Sequence, residues 1–315
     1  MTNELSKASK KGKHSVVEFA MASYGRKCCD STDFFQLQVP FTTDVDLFAD
    51  SLFELKTSGN AEYCGYAIRE SLDILNWSDK EDDLKIIFIA GNERFDQGPV
   101  DFRSACHDAF KRNIFVNTIY CGTEEDGIKE LWKDAAERGM GQFDIINKDS
   151  ASQLQETIWD NKIISFNNDL NSTYLPYGNS GEKMLQRQLR IDEVSKGMGN
   201  VFLRNRIIFK GSADYKNENW DLVDAFLNDS LILDKLKTED FPVTMQSMNR
   251  TEKINYINKM SDRRELCREG IVMYCEKANE FMETSNGDKK NPRTLDVVLM
   301  RMLREEAKQK GFVFD

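Results

Sequence analysis

Polar residues that could bind a ligand follow the most apolar run of the chain. The run Leu84–Ala90 lies between charged residues and a glycine and is too short for a helix, so it predicts a buried strand. Gly91, Asn92 and Glu93 come directly after it. Open α/β sheets collect ligands at the carboxyl ends of their strands. A second glycine-bearing loop, Thr57–Gly65, lies between two predicted helices and can approach the same edge, although each loop alone is more typical of an ordinary turn.

Histidine and cysteine usage argues against several catalytic and metal sites. The chain has two histidines, His14 and His107, which leaves little material for histidine-based catalysis. Its seven cysteines include no C-x-x-C pair, so a zinc ribbon and a disulfide framework are disfavoured. Cys106 and His107 are adjacent on a predicted helix and point about 100° apart, which excludes a thiol–imidazole pair. The residue inventory therefore favours a protein that is not an enzyme.

The charge balance and the hydropathy pattern limit the partners. The formal net charge is −10 at pH 7, which argues against general binding to nucleic-acid phosphates. The sequence contains no run of about 18 apolar residues, and Met1–Lys13 lacks the apolar stretch of a secretory signal. We therefore expect no membrane span, no nucleic-acid partner and a cytoplasmic location for the chain as written.

The first half alternates strand-like and helix-like segments, which is typical of a parallel sheet covered by helices on both faces. The predicted strands are Val16–Tyr24, Phe34–Val39, Leu84–Ala90, Ile114–Tyr120 and Phe143–Ile146. The predicted helices are Val45–Leu55, Tyr63–Leu75, Val100–Arg112, Glu124–Arg138 and about Ala151–Ile163. The pattern predicts an α/β domain over residues 1–165.

The second half is predicted to be mostly helical. Asn, Ser, Gly and Pro cluster in residues 166–181, which predicts a domain boundary there. Residues 166–248 are interpreted as a connection with short helices, and 249–315 as a tail formed by a helical hairpin. Asn249 and Glu252 are spaced as a capping box at the start of the first tail helix. Apolar residues recur along that helix at spacings of three, four or seven with an interruption at Arg264, which favours packing on a neighbouring helix over a partner-binding coiled coil.

Several segments taken in order resemble the von Willebrand factor type A (VWFA) domain, in a bacterial version that carries a helical tail. The matching segments of the domain are Val16–Gly25, Phe41–Leu55, Thr57–Ile68, Leu84–Glu93, Asn117–Gly122 and Trp132–Gly141. The tail segments that match are Tyr174–Gly178 and Trp220–Ala225. The resemblance implies a Rossmann-like fold whose metal-ion-dependent adhesion site binds Mg²⁺ or a similar cation through three loops, with a partner's carboxylate completing the coordination.

The resemblance also implies that this metal site is incomplete. The family's first ligand loop, Asp-x-Ser-x-Ser, is missing, because the chain begins where the family's first helix is already under way. The second loop places Asn60 at the ligand position, and the third places Asn92 there with Glu93 beside it. Two amide oxygens lack the charge and the ligand number that a hard cation needs. We therefore expect weak or no metal binding at Asn60 and Asn92 and no cofactor in this chain.

The family's opening strand lies in the middle of its sheet, so the resemblance implies a VWFA-like domain truncated at its N-terminus. Its loss would leave the second and fourth strands with unpaired edges that face each other. Three explanations stand: the strand lies upstream of this sequence, the strand order has closed up, or the chain is a damaged relative. We favour the first, because an upstream strand could restore a site for Mg²⁺ or a similar divalent cation and could carry a signal for export to the periplasm or beyond.

The leading hypothesis is a non-enzymatic module that binds a protein partner through the carboxyl edge of its sheet. Asn60, Glu62, Asn92 and Glu93 would line that edge. One alternative is a nucleotide-binding or hydrolytic enzyme, since Rossmann-like folds host many chemistries. Another is an assembly protein that associates with itself or with a partner through the helical tail.

Overall fold

A computed structural model describes residues 8–25, 34–56, 61–146, 156–212, 215–286 and 294–314 of this α/β protein. The chain divides into two compact units. The first, here called the α/β unit, combines Met1–Gln153 with Lys290–Asp315, and the second, the helical unit, is Leu154–Lys289. This division differs from the predicted segments 1–165, 166–248 and 249–315, because it assigns the two helices of the predicted tail hairpin to different units.

The strands and helices of the α/β unit alternate in its central part, as the sequence predicts. The strands are β1 (Ala8–Lys10), β2 (Lys13–His14), β3 (Phe19–Tyr24), β4 (Phe35–Thr42), β5 (Lys85–Gly91), β6 (Ile114–Tyr120), β7 (Met140–Ile145) and β8 (Val313–Phe314). The helices are α1 (Val45–Phe53), α2 (Cys64–Ile74), α3 (Phe102–Lys111), α4 (Glu124–Lys129), α5 (Trp132–Arg138) and α12 (Leu295–Gln309). The helix predicted over Glu124–Arg138 is broken, because Leu131 has a left-handed backbone with φ of 71°.

The strands of this unit form three separate sheets rather than the single, mostly parallel sheet that the sequence predicts. Strands β5, β6 and β7 pair in parallel, with Lys85 opposite Ile114 and Gly91 opposite Tyr120. Strands β3 and β4 form an antiparallel pair, and β1 pairs with β2 and β8. In the described part of the chain, β3 and β5 each stand at the edge of their sheet.

Helices cover both faces of the parallel sheet, because alternate strand residues point to opposite faces. On one face, Ile89 and Val116 belong to a buried cluster with side chains of α2, α3 and α5. On the other, Ile119 packs against Val298 and Met302 of α12. The continuous apolar run of β5 therefore corresponds to a parallel sheet that is covered on both faces.

The helical unit consists of connected helices. They are α6 (Asp160–Asn171), α7 (Gly178–Met198), α8 (Asn200–Gly211), α9 (Leu222–Asn228), α10 (Ile232–Lys235) and α11 (Arg250–Asn286). The predicted boundary at 166–181 is wrong in its first part, since α6 continues to Asn171. The capping box at α11 is confirmed: Asn249 N–H donates to Glu252 Oε2 (2.8 Å) and Glu252 N–H to Asn249 Oδ1 (3.0 Å).

The apolar stripe predicted along α11 is buried within the helical unit. Five of its members are at most 6% exposed: Ile257, Met260, Cys267, Ile271 and Ala278. The other two, Tyr274 and Phe281, are half-buried and 36% exposed, respectively. The stripe thus packs on neighbouring helices over most of its length, as expected. Among the helices that the structure describes, none has the length and apolar composition required to cross a membrane.

Candidate functional site

The carboxyl end of strand β5 brings together parts of three elements of the α/β unit. The Gly91 carbonyl still accepts a hydrogen bond from Cys121 N–H (2.8 Å), so the ladder with β6 extends to that residue. After Gly91 the chain leaves the sheet, and Asn92 and Glu93 are exposed. We call this end of β5, together with Glu62 and Tyr24, the sheet edge site.

Glu62 lies at this edge, two residues before the start of α2, and is half-buried. Its Oε2 accepts a hydrogen bond from Asn92 N–H over 3.4 Å. The carboxylate also lies against Gly91, where a Cβ atom would come within 2.5 Å of Glu62 Oε2 and 2.7 Å of Tyr24 Oη. Gly91 therefore gives the carboxylate and the phenol room to approach the end of β5.

Tyr24, the last residue of β3, links that strand to β5. Its hydroxyl donates to the Ala90 carbonyl (2.8 Å), and the Cys64 Sγ donates to Tyr24 Oη (3.8 Å). Burial raises the pKa of Tyr24, and the neighbouring Cys64 and Glu62 raise it further. Burial also raises the pKa of the Cys64 thiol. Both groups are consequently protonated at neutral pH and serve as hydrogen-bond donors rather than nucleophiles.

Trp132 fixes the loop that follows β5. This side chain is fully buried at the start of α5, and its Nε1 donates to the Glu93 carbonyl over 2.8 Å. The left-handed backbone at Leu131 directly precedes it and starts the new helix. The Glu93 and Glu62 carboxylates have different hydrogen-bond donors. Glu93 Oε2 accepts from Gln97 Nε2 (3.4 Å).

The four residues predicted to line the edge have different outcomes. The structure brings Glu62 and Asn92 into contact and places Glu93 next to them in an exposed loop. Asn60 lies outside the described residues. The sequence did not indicate that Tyr24 and Trp132 would contact this edge. The position of Tyr24-Gly25 at the end of a predicted strand was the available signal for the first.

The described residues of this edge do not fit a Mg²⁺ site. A hard cation needs several oxygen ligands, whereas Glu62 Oε2 at the end of β5 already accepts a hydrogen bond from the Asn92 backbone N–H. Within the described ranges, no group of three or more His, Cys, Asp or Glu side chains is placed to hold a metal ion. We therefore derive no chemistry from a bound cation here.

Comparison with known proteins gives no relative on which to base a function. No family model, no curated protein and no solved structure matches this chain.

Proposed function

We propose that the α/β unit is a non-enzymatic protein-binding module of VWFA type with an incomplete adhesion site, and that its partner binds at the sheet edge site. The contact between Glu62 Oε2 and Asn92 N–H carries the proposal, because it brings together two predicted edge residues that are 30 positions apart in sequence. The exposed Asn92 and Glu93 side chains would supply the hydrogen bonds to the partner.

The strand arrangement supports the VWFA part of the proposal. In that family the opening strand separates the second strand from the fourth, and the matching strands here are β3 and β5. They belong to different sheets, and the Tyr24 hydroxyl bridges to the Ala90 carbonyl. The protonated Tyr24 and Cys64 at the same edge support a binding role over nucleophilic catalysis.

A photo-crosslinking amino acid at position 92 tests the proposal in cells of the protein's own species. We expect a discrete crosslinked protein that is absent when the same group replaces Lys80, which is exposed ahead of β5. The purified partner should then bind the Asn92→Ala variant more weakly, by about fivefold for one or two lost hydrogen bonds. Equal crosslinking at both positions, or unchanged affinity of Asn92→Ala, would refute the edge as the binding surface.

Gly91→Ala tests the geometry of the same edge without changing a polar group. The added Cβ would meet Glu62, Tyr24 and Trp132 at 2.5–2.9 Å, so at least one of them must shift. We expect a loss of about 1–3 kcal/mol in stability together with weaker partner binding. Gly197→Ala is the matched control, because nothing lies within 4 Å of its added Cβ in α7, and unfolding in urea compares the two variants.

A further inference from the structure

Helix α11 of the helical unit carries large apolar side chains on its exposed side as well as in its buried stripe. Leu266, Val272 and Met273 are 65%, 52% and 42% exposed, respectively. Val272 and Met273 line a groove of about 360 Å³ along α11, next to Gly211 at the end of α8. Single exposed apolar residues are ordinary, whereas a groove lined by neighbouring ones is a candidate docking surface.

The same groove is acidic. Its other lining residues in the described part of the chain are Glu265, Arg268, Glu269 and Glu276. Arg268 Nη1 lies 3.9 Å from Glu265 Oε2, so one of the three carboxylates has a basic neighbour. Glu269 and Glu276 are exposed and form no ion pair with a described residue. The lining therefore holds two uncompensated negative charges beside its apolar side chains.

The spacing of the acids is unfavourable within α11 itself. Glu265 and Glu269 are four residues apart, as are Glu276 and Glu280, so like charges lie on neighbouring turns of the same helix face. A cationic partner at this face would remove that repulsion, whereas a second copy of the chain would add acids to it. The charges consequently favour a basic partner over self-association through the groove.

We propose that this groove docks a basic amphipathic helix of a partner protein. Apolar residues of that helix would pack on Val272 and Met273, and its flanking lysine or arginine residues would pair with Glu269 and Glu276. A helix binds in this way through apolar residues at positions i, i+3 or i+4 and i+7, and the groove extends over about three turns of α11. The flexible side chain of a methionine adapts to the shape of a partner. The groove belongs to the helical unit, so this partner site goes beyond the proposed function and does not depend on it.

Fluorescence anisotropy with three labelled peptides tests the groove on the full chain. The first peptide has about 14 leucines and lysines, with the leucines at helical spacing, so that one face of its helix is apolar and the other basic. The second has glutamate in place of lysine. The third has leucine and lysine in strict alternation, which removes the helical period. We expect the first peptide to bind most tightly, with a Kd that rises with NaCl concentration because salt screens ion pairs.

Two pairs of variants separate the charge of the groove from its apolar surface. Glu269→Gln should raise the Kd of the first peptide about threefold, because it removes one exposed ion pair. Its control, Glu239→Gln, removes an exposed carboxylate outside the groove lining and should change the Kd by less than about 1.5-fold. Met273→Gln should raise the Kd about fivefold through lost apolar contact. Its control is Met198→Gln, since Met198 is 50% exposed and does not line the groove.

Four results would each overturn the proposal. Equal binding of the first and third peptides would show that charge alone attracts them, and equal binding of the first and second would show that the carboxylates do not select a basic partner. Equal effects of Met273→Gln and Met198→Gln would place the peptide elsewhere on the chain. Loss of a dimer of the unmodified chain on Met273→Gln, measured by sedimentation, would identify a second copy as the occupant. None of these results depends on the crosslink at position 92, so the groove can fail while the proposed function stands.

Discussion

Arg264 carries its charge in the interior of the helical unit, where it is 2% exposed. Its Nη1 donates to Asp221 Oδ2 and Asp224 Oδ1, both at 2.7 Å, and its Nη2 donates to the Thr173 carbonyl (3.0 Å). The Tyr174 ring lies against the guanidinium, 4.4 Å from its centroid. Its Nε donates to Thr173 Oγ1 (3.1 Å), so two acids, one carbonyl, one hydroxyl and one ring replace the water that the charge loses on folding.

Removing this guanidinium should destabilise the helical unit strongly, because it leaves two buried carboxylates without their cation. We expect Arg264→Met to lower the free energy of unfolding of the helical unit by about 3–5 kcal/mol. Arg263→Met is the control, since Arg263 and Asp169 form an exposed pair at 3.4 Å worth less than about 1 kcal/mol. Urea unfolding measures both, and similar losses for the two variants would show that the buried network contributes no more than a surface pair.

The sequence reveals Arg264 only as an interruption of an apolar stripe, because its partners Asp221 and Asp224 lie 43 and 40 positions earlier. Tyr24 was missed for the same reason, since its carbonyl acceptor is 66 residues away. By contrast, Asn92 and Glu93 could be predicted, because a strand end and the polar residues after it are adjacent in sequence. Candidate residues are therefore predictable where local order defines the site and not where tertiary contacts do.

At the scale of elements, an apolar pattern predicts a strand or helix well when its buried face is apolar. Strand β6 is predicted and observed over the same range, Ile114–Tyr120. Over residues 166–248 the sequence predicts only a connection with short helices. It does not indicate the 12-residue helix α8, because the buried face of that helix carries Arg204, Arg206 and Lys210. Lys210 Nζ donates to Asn171 Oδ1 and Asp192 Oδ2, both at 2.6 Å, so the burial of its charge depends on side chains from two other helices.

Helix α12 presents a carboxyl to the parallel sheet, and no basic side chain among the described residues pairs with it. Glu306 is 1% exposed, and its Oε2 accepts from Asn117 Nδ2 of β6 at 3.0 Å. The Gln142 amide also faces the carboxyl, but its Nε2 donates to the Met302 carbonyl (3.0 Å). Burial raises the pKa of Glu306 to about 7 from an ordinary 4.5, so the packed helix favours the protonated acid.

Packing of α12 should therefore weaken as the pH rises. Between about pH 4.5 and 7 the unpacked carboxyl ionises while the packed one keeps its proton, so the stabilisation present at low pH is lost through this window and stays lost above it. We expect amide-exchange protection of residues 295–309, corrected for intrinsic rates, to fall by of order one hundredfold. Glu306→Gln should abolish the dependence, whereas Glu305→Gln, an exposed neighbour, should retain it. Protection that is independent of pH in the unmodified chain would contradict the raised pKa.

At the scale of the whole molecule, the α/β unit contains segments from both ends of the chain, and the helical unit is formed by the residues between them. The predicted boundary rested on an Asn-rich segment, yet Asn167 and Asn171 lie on α6 and each donates through Nδ2 to Asp192 Oδ2, at 2.8 and 3.0 Å. These amides serve a buried polar network instead of a loop. Local sequence patterns likewise do not predict that helix α12 belongs to the α/β unit, because this assignment depends on apolar contacts with β6.

Deletion of residues 290–315 tests whether α12 stabilises the α/β unit or instead forms a helical hairpin with α11. Without α12, the face of the parallel sheet that contains Ile119 loses its contacts with Val298 and Met302. We expect amide exchange to accelerate in β5 and β6 while α11 keeps its protection, because its buried side chains pack within the helical unit. Val298→Asp in the full-length chain should have the same selectivity, since Val298 is 1% exposed and an unpaired carboxylate at that position costs several kcal/mol. The opposite result in both variants would be a loss of amide-exchange protection in α11 with unchanged protection in β5 and β6. It would show that α11 and α12 stabilise each other as a hairpin, and the assignment of α12 to the α/β unit would be wrong.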